Sequence, residues 1–179
     1  MASSDGARPA RIDSLRRHWA LDDGVTFLNH GAFGASPRPV MEAAARVRAE
    51  LEREPVRFFE RTFEPLLEAA RADVARFVGA RPEDVAFVPN TTAGVNAVLG
   101  SVSLGPGDVI LITDHAYNAC KNAAEFAARR AGATVAVARI PLPITDPEEV
   151  VERIVGAATN EVKLALVDHV TSQTGLVFP

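Results

Sequence analysis

Hydrophobic positions between residues 36 and 79 recur every three or four residues, a spacing that predicts two amphipathic helices. The first is expected to begin with Ser36 as its N-cap, followed by Pro37, and to stop at Pro55. The second is expected to begin near Thr62 and to end at Gly79. The apolar positions are Val40, Ala44, Val47 and Leu51 in the first helix, and Phe63, Leu66, Leu67, Ala70, Val74, Phe77 and Val78 in the second. Because both helices precede any long strand, we expect these stripes to be buried on the outside of a sheet or on a partner chain.

From Asp84 onward, short apolar runs alternate with helical patterns. The expected strands are 85–89, 108–113, 134–140 and 162–170, and the expected helices are 90–102, 117–132 and 146–158. The last helix has the start of a capping box in Asp146 and Glu149. Strand–helix alternation with nearly continuous apolar strands predicts an α/β fold, in which a parallel sheet carries helices on both faces and right-handed crossovers.

Composition restricts the class of protein further. With 179 residues, 47% of them hydrophobic, the chain can form one domain with a real core, here expected over residues 25–179 behind a polar arm of residues 1–24. One short helix is expected in that arm, around Ser14–Ala20. A formal net charge of −4 argues against a nucleic-acid partner. The single cysteine excludes an internal disulfide, and no segment has the pattern of a signal peptide or a membrane span, so we expect a cytoplasmic protein.

Three polar segments follow predicted strands, at residues 89–94, 113–118 and 168–175. Ligands of open α/β sheets bind at the carboxyl ends of the strands, so these segments are the candidate site. In the first, Thr91 and Thr92 open a helix whose N-terminus attracts an anion, unless Asn90 is simply a cap. The second offers the flat ring of Tyr117 and the imidazole of His115, or else is a plain helix start capped by Asp114 with His115 exposed. The third is either functional or an ordinary polar loop.

Other segments and residues give weaker indications of a functional site. The Gly-rich turn at 29–34 either brings backbone N–H groups to a carboxylate or is a flexible entry to the first helix. Cys120 lies among alanines and is interpreted as an inert core residue. The histidines lack a metal-ligand pattern, and neither a Walker loop nor a GxGxxG segment is present, so no metal site is expected.

Together these segments resemble the N-terminal half of a fold type I pyridoxal-phosphate (PLP) enzyme, specifically the class V aminotransferase family and its isopenicillin N epimerase-like branch. The segments that carry the resemblance are FLNHGAFGASPRPV, FVPNTTAGVNAVL, ITDHAYNACKNAAEFAARR and LVDHVTSQTGLVFP. The resemblance implies PLP as cofactor, an amino acid or amino-acid-like substrate, and a homodimer when intact. It also implies that residues 25–179 are an incomplete PLP-binding large domain.

The resemblance also implies roles for individual residues. Thr91 and Thr92, supported by Asn90, would hold the phosphate of PLP. Tyr117 would stack on its ring, and Ser172 would hydrogen-bond the ring hydroxyl. A looser correspondence places Asn29, His30 and Gly31 near the substrate. No role in the chemistry is assigned to His115 or His169.

The chain departs from the family's pattern in what it lacks. The family's Asp that pairs with the pyridine nitrogen and its cofactor-binding Lys lie downstream of the loop at 168–175, and neither Asp168, Lys121 nor Lys163 matches them. No catalytic residue is therefore assigned, and we expect the 179 residues alone to be inactive, as one part of an epimerase, aminotransferase or C–S lyase/desulfurase. The alternatives are a non-catalytic interaction module of the same fold and a phosphate- or nucleotide-binding α/β domain.

Overall fold

The computed structural model describes residues 15–179, and these fall into two compact units, one up to Ala86 and the other from Phe87 to Pro179. Of the short helix expected at Ser14–Ala20, the described part contains one turn, in which the His18 N–H donates to the Leu15 carbonyl over 2.9 Å. The rest of that prediction lies outside the described residues. The division of the chain at residue 24 stays a prediction.

All regular elements of the first unit are helices or helical turns among its described residues. Its elements are α1 (His30–Phe33), α2 (Arg38–Arg53), α3 (Pro55–Arg57), a π-helical turn (Phe58–Thr62), α4 (Phe63–Val78) and a 3-10 turn (Pro82–Asp84). Both predicted long helices are confirmed as α2 and α4. Gly79 ends α4 in the left-handed region, at φ 72°, where a residue without Cβ is favoured.

One detail of these helices was predicted wrongly. Ser36 is not the N-cap of α2, because Pro37 holds that position with extended backbone and no side chain caps the helix. The apolar stripe on α4 is largely uncovered by the described residues of the chain, since Ala75 is the buried residue of this helix and Phe77 is 90% exposed; burial on a partner chain stays a prediction. Helix α2 has no buried residue. The predicted helical periodicity of the hydrophobic positions is confirmed, but no described element of this unit covers the apolar faces of α2 and α4.

The second unit is a three-stranded parallel sheet with helices between the strands. Its elements are α5 (Thr91–Ser101), β1 (Val109–Thr113), α6 (Asn118–Ala131), β2 (Thr134–Ala138), α7 (Pro147–Ala157) and β3 (Val162–Leu166). The strand order is β2-β1-β3, with Ile110 beside Val135 on one side and Leu164 on the other. The two crossovers move in opposite directions along the sheet, so right-handed connections place α6 and α7 on opposite faces. The predicted α/β fold is confirmed.

The core of this unit lies between β1 and the pair α5–α6. Ile110 and Ile112 point from β1 into a cluster with Leu99 of α5 and with Ala124 and Ala128 of α6. Small residues at every fourth position of α6 let this helix lie close to the strand. A second cluster joins Ile140, Val150 and Phe178, which lie after β2, in α7 and near the end of the chain.

The number and the length of the strands were overestimated from the sequence. Residues 85–89 form no strand in the described structure, although Val85 has extended backbone. A strand exists through ladder hydrogen bonds with a neighbour, and none of the three strands pairs with this segment. The strands predicted at 134–140 and 162–170 end earlier, at Ala138 and Leu166. Within residues 15–179, no helix is long and apolar enough to cross a membrane.

Candidate functional site

The N-terminus of α5 is capped and still has free donors. The Asn90 Oδ1 accepts the Ala93 N–H over 2.9 Å, and the Asn90 carbonyl accepts the Gly94 N–H over 3.2 Å. The backbone N–H groups and hydroxyls of Thr91 and Thr92 have no hydrogen-bond partner within residues 15–179. No acidic residue stands in the first turn of α5. Capping and anion binding are therefore compatible here, because the cap uses one donor and leaves two amides.

The segment after β1 is not a plain capped helix start. Helix α6 begins after Tyr117, which has no side-chain cap hydrogen bond. The Asp114 Oδ1 instead accepts the Ile140 N–H over 2.9 Å, so the interpretation of Asp114 as a cap is wrong. The same interpretation expected His115 to be exposed, yet its residue is 7% exposed. Tyr117 is 47% exposed, so this residue is accessible from solvent.

The segment after β3 folds back as a narrow hairpin. Val170 and Val177 form an antiparallel bridge, and within it Thr171 and Leu176 are joined through the Thr171 N–H, which donates to the Leu176 carbonyl over 2.9 Å. Gly175 closes the turn at φ 65°, a conformation that favours glycine. Ser172 lies exposed in this turn. We refer to residues 170–177 as the hairpin.

Hydrogen bonds from His115 connect the segments that follow all three strands. Its Nδ1 lies 3.0 Å from the Thr174 Oγ1 of the hairpin, and its Nε2 lies 3.0 Å from the Ile140 carbonyl oxygen after β2. The Thr174 Oγ1 is in turn 2.7 Å from the Thr171 Oγ1. These four residues, His115, Ile140, Thr171 and Thr174, are called the His115 network below. The sequence places His115, Thr171 and Thr174 in candidate segments but does not indicate that they bind one another. The sequence shows a histidine next to Asp114, but it does not show that this histidine binds residues 25 and 59 positions away.

The structure thus brings together two of the predicted site segments. Tyr117 follows His115 by two residues, and Ser172 lies between Thr171 and Thr174, so the His115 network connects the loops that carry both. The N-terminal turn of α5, with Asn90, belongs to the same unit, and α5 packs against α6. No hydrogen bond links that turn to either loop among the described residues. The assignment of Asn90, Thr91, Thr92, Tyr117 and Ser172 to a ligand stays a prediction.

Asn29, His30 and Gly31 belong to the first unit. The Asn29 Oδ1 caps the short helix α1 by accepting the Ala32 N–H over 3.2 Å. The His30 ring packs edge-on against Phe27, with ring centroids 4.7 Å apart. Their role toward a substrate stays a prediction.

The thiol of Cys120 and the amines of Lys121 and Lys163 are further reactive groups of the second unit. Burial raises the pKa of the Cys120 thiol, and the nearby negative charge of Asp168 raises it further. Lys121 lies 4.0 Å from Glu125 on α6, and Lys163 lies near the amino end of β3, at the edge of the sheet opposite to the loops. No group of three metal-ligating side chains is found in residues 15–179.

A parallel sheet with polar loops after the carboxyl ends of its strands defines the chain as a member of the α/β class, whose open sheets bind ligands at this edge. Residues 27–179 match the family described as Aminotransferase class-V. The chain belongs to the aminotransferase class-V family.

Several known proteins resemble the chain. It is 41% identical to the isopenicillin N epimerase of Amycolatopsis lactamdurans over 93% of its own length and 42% of that protein. It is 30% identical to the putative L-cysteine desulfhydrase 1 of Oryza sativa subsp. japonica, over 87% of its length and 35% of that protein. Its fold resembles that of a C-DES mutant with glycine covalently linked to the PLP cofactor, with a TM-score of 0.82 and 20% identity, covering 92% of this chain and 43% of that one. The chain thus spans about two fifths of the isopenicillin N epimerases that it matches.

Proposed function

We propose that this chain is the phosphate- and ring-binding part of a PLP-dependent enzyme that acts on an amino acid or an amino-acid-like substrate. The observation that carries the proposal is the His115 network, which connects the loops of Tyr117 and Ser172 at the carboxyl edge of the sheet in a class-V family member. An exposed aromatic ring and an exposed hydroxyl then lie on loops that are held to each other. A flat cofactor with a ring hydroxyl requires both kinds of group.

The residues present suit the phosphate of this cofactor. The amides of Thr91 and Thr92 are unpaired within residues 15–179, and the positive end of the α5 dipole lies at the same place. The two threonine hydroxyls add donors. No acidic side chain in the first turn of α5 would repel a dianion. In this proposal Asn90, Thr91 and Thr92 hold the phosphate, Tyr117 stacks on the ring, and Ser172 donates to or accepts from the ring hydroxyl.

When bound, PLP withdraws electrons from the α-carbon of an amino-acid substrate. Neither Lys121 nor Lys163 stands among the proposed binding residues, and so the 179 residues alone are proposed to bind the cofactor without turning over substrate. The reaction is proposed to be of the epimerase, aminotransferase or C–S lyase type, which the named relatives also represent in part. Asn29, His30 and Gly31 are proposed to approach the substrate. A cytoplasmic location and a homodimer in the intact protein complete the proposal.

Calorimetric titration of the 179-residue chain tests the proposal, with PLP, pyridoxal and adenosine monophosphate as separate ligands. We expect PLP to bind more tightly than pyridoxal, because only PLP carries the phosphate that the α5 N-terminus receives. Tyr117→Ala should weaken PLP binding by about fivefold, since aromatic stacking contributes about 1 kcal/mol. Tyr117→Phe keeps the ring and should bind as the original chain does.

Asn90→Asp separates capping from phosphate binding. Asp caps a helix as well as Asn does, so the free energy of unfolding should stay the same, whereas the new negative charge should repel the phosphate. Affinity for PLP should fall and affinity for pyridoxal should not. Asn160→Asp, an exposed residue between α7 and β3, is the control for charge alone. Equal affinity for PLP and pyridoxal would contradict the phosphate site, and tighter binding of adenosine monophosphate would favour the nucleotide-binding alternative.

A further inference from the structure

We propose that His115 is a positioning residue, held as the Nε2–H tautomer, which fixes the hairpin of Ser172 against the loop of Tyr117. It acts through Thr174 and Thr171 on one side and through Ile140 on the other. What the positioned residues do rests on the proposed function, whereas the tautomer and the hydrogen-bond directions follow from the contacts of the network alone.

The tautomer follows from what each partner can donate. A carbonyl oxygen only accepts, so at 3.0 Å from the Ile140 oxygen the His115 Nε2 must carry the hydrogen. In the neutral imidazole the Nδ1 is then an acceptor. The Thr174 hydroxyl, 3.0 Å away, has to donate to it.

That direction propagates into the hairpin. Because the Thr174 hydrogen is used on His115, the Thr174 oxygen accepts from the Thr171 hydroxyl over 2.7 Å. The Thr171 oxygen accepts in turn from the Leu176 N–H over 2.9 Å. The Thr171 hydroxyl also has the Leu176 carbonyl at 3.4 Å, but the Thr174 oxygen at 2.7 Å is the closer acceptor. Each hydroxyl thus donates once and accepts once, and the hydrogen bonds run in one direction from the Leu176 amide to the imidazole. Such a chain has one low-energy arrangement, which is what a positioning role requires.

The other side of the imidazole ring is bound to the backbone of Ile140. Adjacent residues Asp114 and His115 bind the two backbone groups of Ile140: the Asp114 Oδ1 accepts its N–H over 2.9 Å, and the His115 Nε2–H donates to its carbonyl over 3.0 Å. The ring of Phe178 covers the imidazole edge-on, with centroids 6.3 Å apart. The Asp114 Oδ1 lies 3.8 Å from Nε2 and faces the same donor. The loop after β1 is thereby bound to the loops after β2 and β3.

The network reaches both proposed cofactor contacts without touching either. Tyr117 is two residues from His115 along the loop after β1. Ser172 lies in the turn that Thr171 and Thr174 close, where the Gly175 N–H donates to the Thr171 carbonyl over 3.0 Å. Loss of the Thr174 hydroxyl would release the hairpin from the imidazole and leave Tyr117 and Ser172 without a fixed separation.

Nitrogen-15 NMR of the histidine rings in the unmodified 179-residue chain tests the tautomer without any substitution. The His115 resonances, assigned by their loss in His115→Gln, should show a protonated Nε2 and an unprotonated Nδ1. A protonated Nδ1 on the neutral ring would overturn the proposal. This readout does not depend on PLP or on any activity.

Two variants of Thr174 test the positioning role. Thr174→Val keeps the shape and removes the hydroxyl, whereas Thr174→Ser keeps the hydroxyl. Thr174→Val should speed hydrogen exchange at the Leu176 and Gly175 amides and weaken PLP binding, each by about fivefold, as expected for one lost hydrogen bond. Thr174→Ser should restore both values. Gln173→Ala, an exposed neighbour in the same turn, should change neither.

The outcomes separate the two proposals. If Thr174→Val and Thr174→Ser behave alike in exchange and in PLP binding, the network is not a positioning device. If the unmodified chain does not bind PLP while exchange and the NMR tautomer follow the expectation, the network stands and the proposed cofactor fails.

Discussion

The polar side chains discussed above form hydrogen bonds either with residues close by in the sequence or with residues far away in it. Asn90 and Asp146 accept backbone N–H groups two or three residues further along their own helices, at Ala93 and Glu148. His115 instead contacts a residue 59 positions away. The first kind of contact depends on local backbone geometry, and the sequence therefore predicted these caps. The capping box around Asp146 is formed only in part, because the Glu149 carboxylate pairs with Arg153 at 3.1 Å.

Cys120 offers a test at the same scale. Because burial and the charge of Asp168 raise the pKa of its thiol, we expect little thiolate at pH 8 and slow alkylation by iodoacetamide in the folded chain. After unfolding in urea the rate should rise, because the thiol regains its ordinary pKa and becomes accessible to the reagent. Mass spectrometry over time measures both rates.

Asp168→Asn identifies the electrostatic part of this effect. Removing a negative charge favours the thiolate, so the pKa of Cys120 should fall and the pH profile of alkylation should move to lower pH. An unchanged profile in this variant would mean that Asp168 has no electrostatic influence on the thiol.

At the scale of elements, α6 shows how a helix of small residues determines the fit to the sheet. Cys120, Ala124 and Ala128 recur every fourth residue and are all buried, and Ala124 has no exposed surface. The helix ends at Gly132 with φ 70°. These features follow from the sequence pattern, and the predicted extent of this helix, 117–132, agrees closely with Asn118–Ala131.

Ala124→Leu tests the close packing of α6 on β1. A leucine has no room beside Ile110 and Ile112, and overpacking should lower the free energy of unfolding by about 1–3 kcal/mol. Denaturant unfolding followed by circular dichroism measures the change. Asn122→Leu, at an exposed position of the same helix, should leave the stability within about 0.5 kcal/mol. Equal effects of the two substitutions would show that the contact is not tight.

The strand expected at 85–89 shows the opposite case. Phe87 and Val88 have the composition of a strand and are 51% and 48% exposed. The composition of a segment favours a strand only if a neighbouring strand is available to pair with it. Whether such a neighbour is present is decided by the tertiary structure. The same reasoning explains why Ala138 and Leu166 end their strands before the apolar pattern does.

At the scale of the whole molecule, the first unit exposes several large apolar side chains. Phe33 and Phe77 are each 90% exposed, and Val56 is 76% exposed. Surfaces of this kind lead to association because burying them removes apolar area from water. The amphipathic patterns of α2 and α4 were correctly identified from the sequence. The pattern does not identify the surface that packs against the apolar faces of these helices.

We expect the 179-residue chain to associate as its concentration rises, and Phe77→Glu to reduce this association. Sedimentation velocity over a hundredfold range of concentration gives the measurement. Gln173→Glu introduces the same charge at an exposed polar position and should leave association unchanged. A chain that sediments as a monomer throughout would show that the exposed face of α4 does not drive association.

The sequence by itself determined where the long helices lie, where Gly79 and Gly132 end two of them, and that polar groups follow apolar strands, because these features depend on neighbours within a few residues. Its resemblance to a family also indicated the class to which the chain belongs. Tertiary structure alone decided that the imidazole of His115 is buried between Ile140 and Thr174, and that Asp114 holds a backbone group rather than a helix end. Those contacts arise from the order in which three parallel strands meet, and a strand order of β2-β1-β3 is not written in any local pattern.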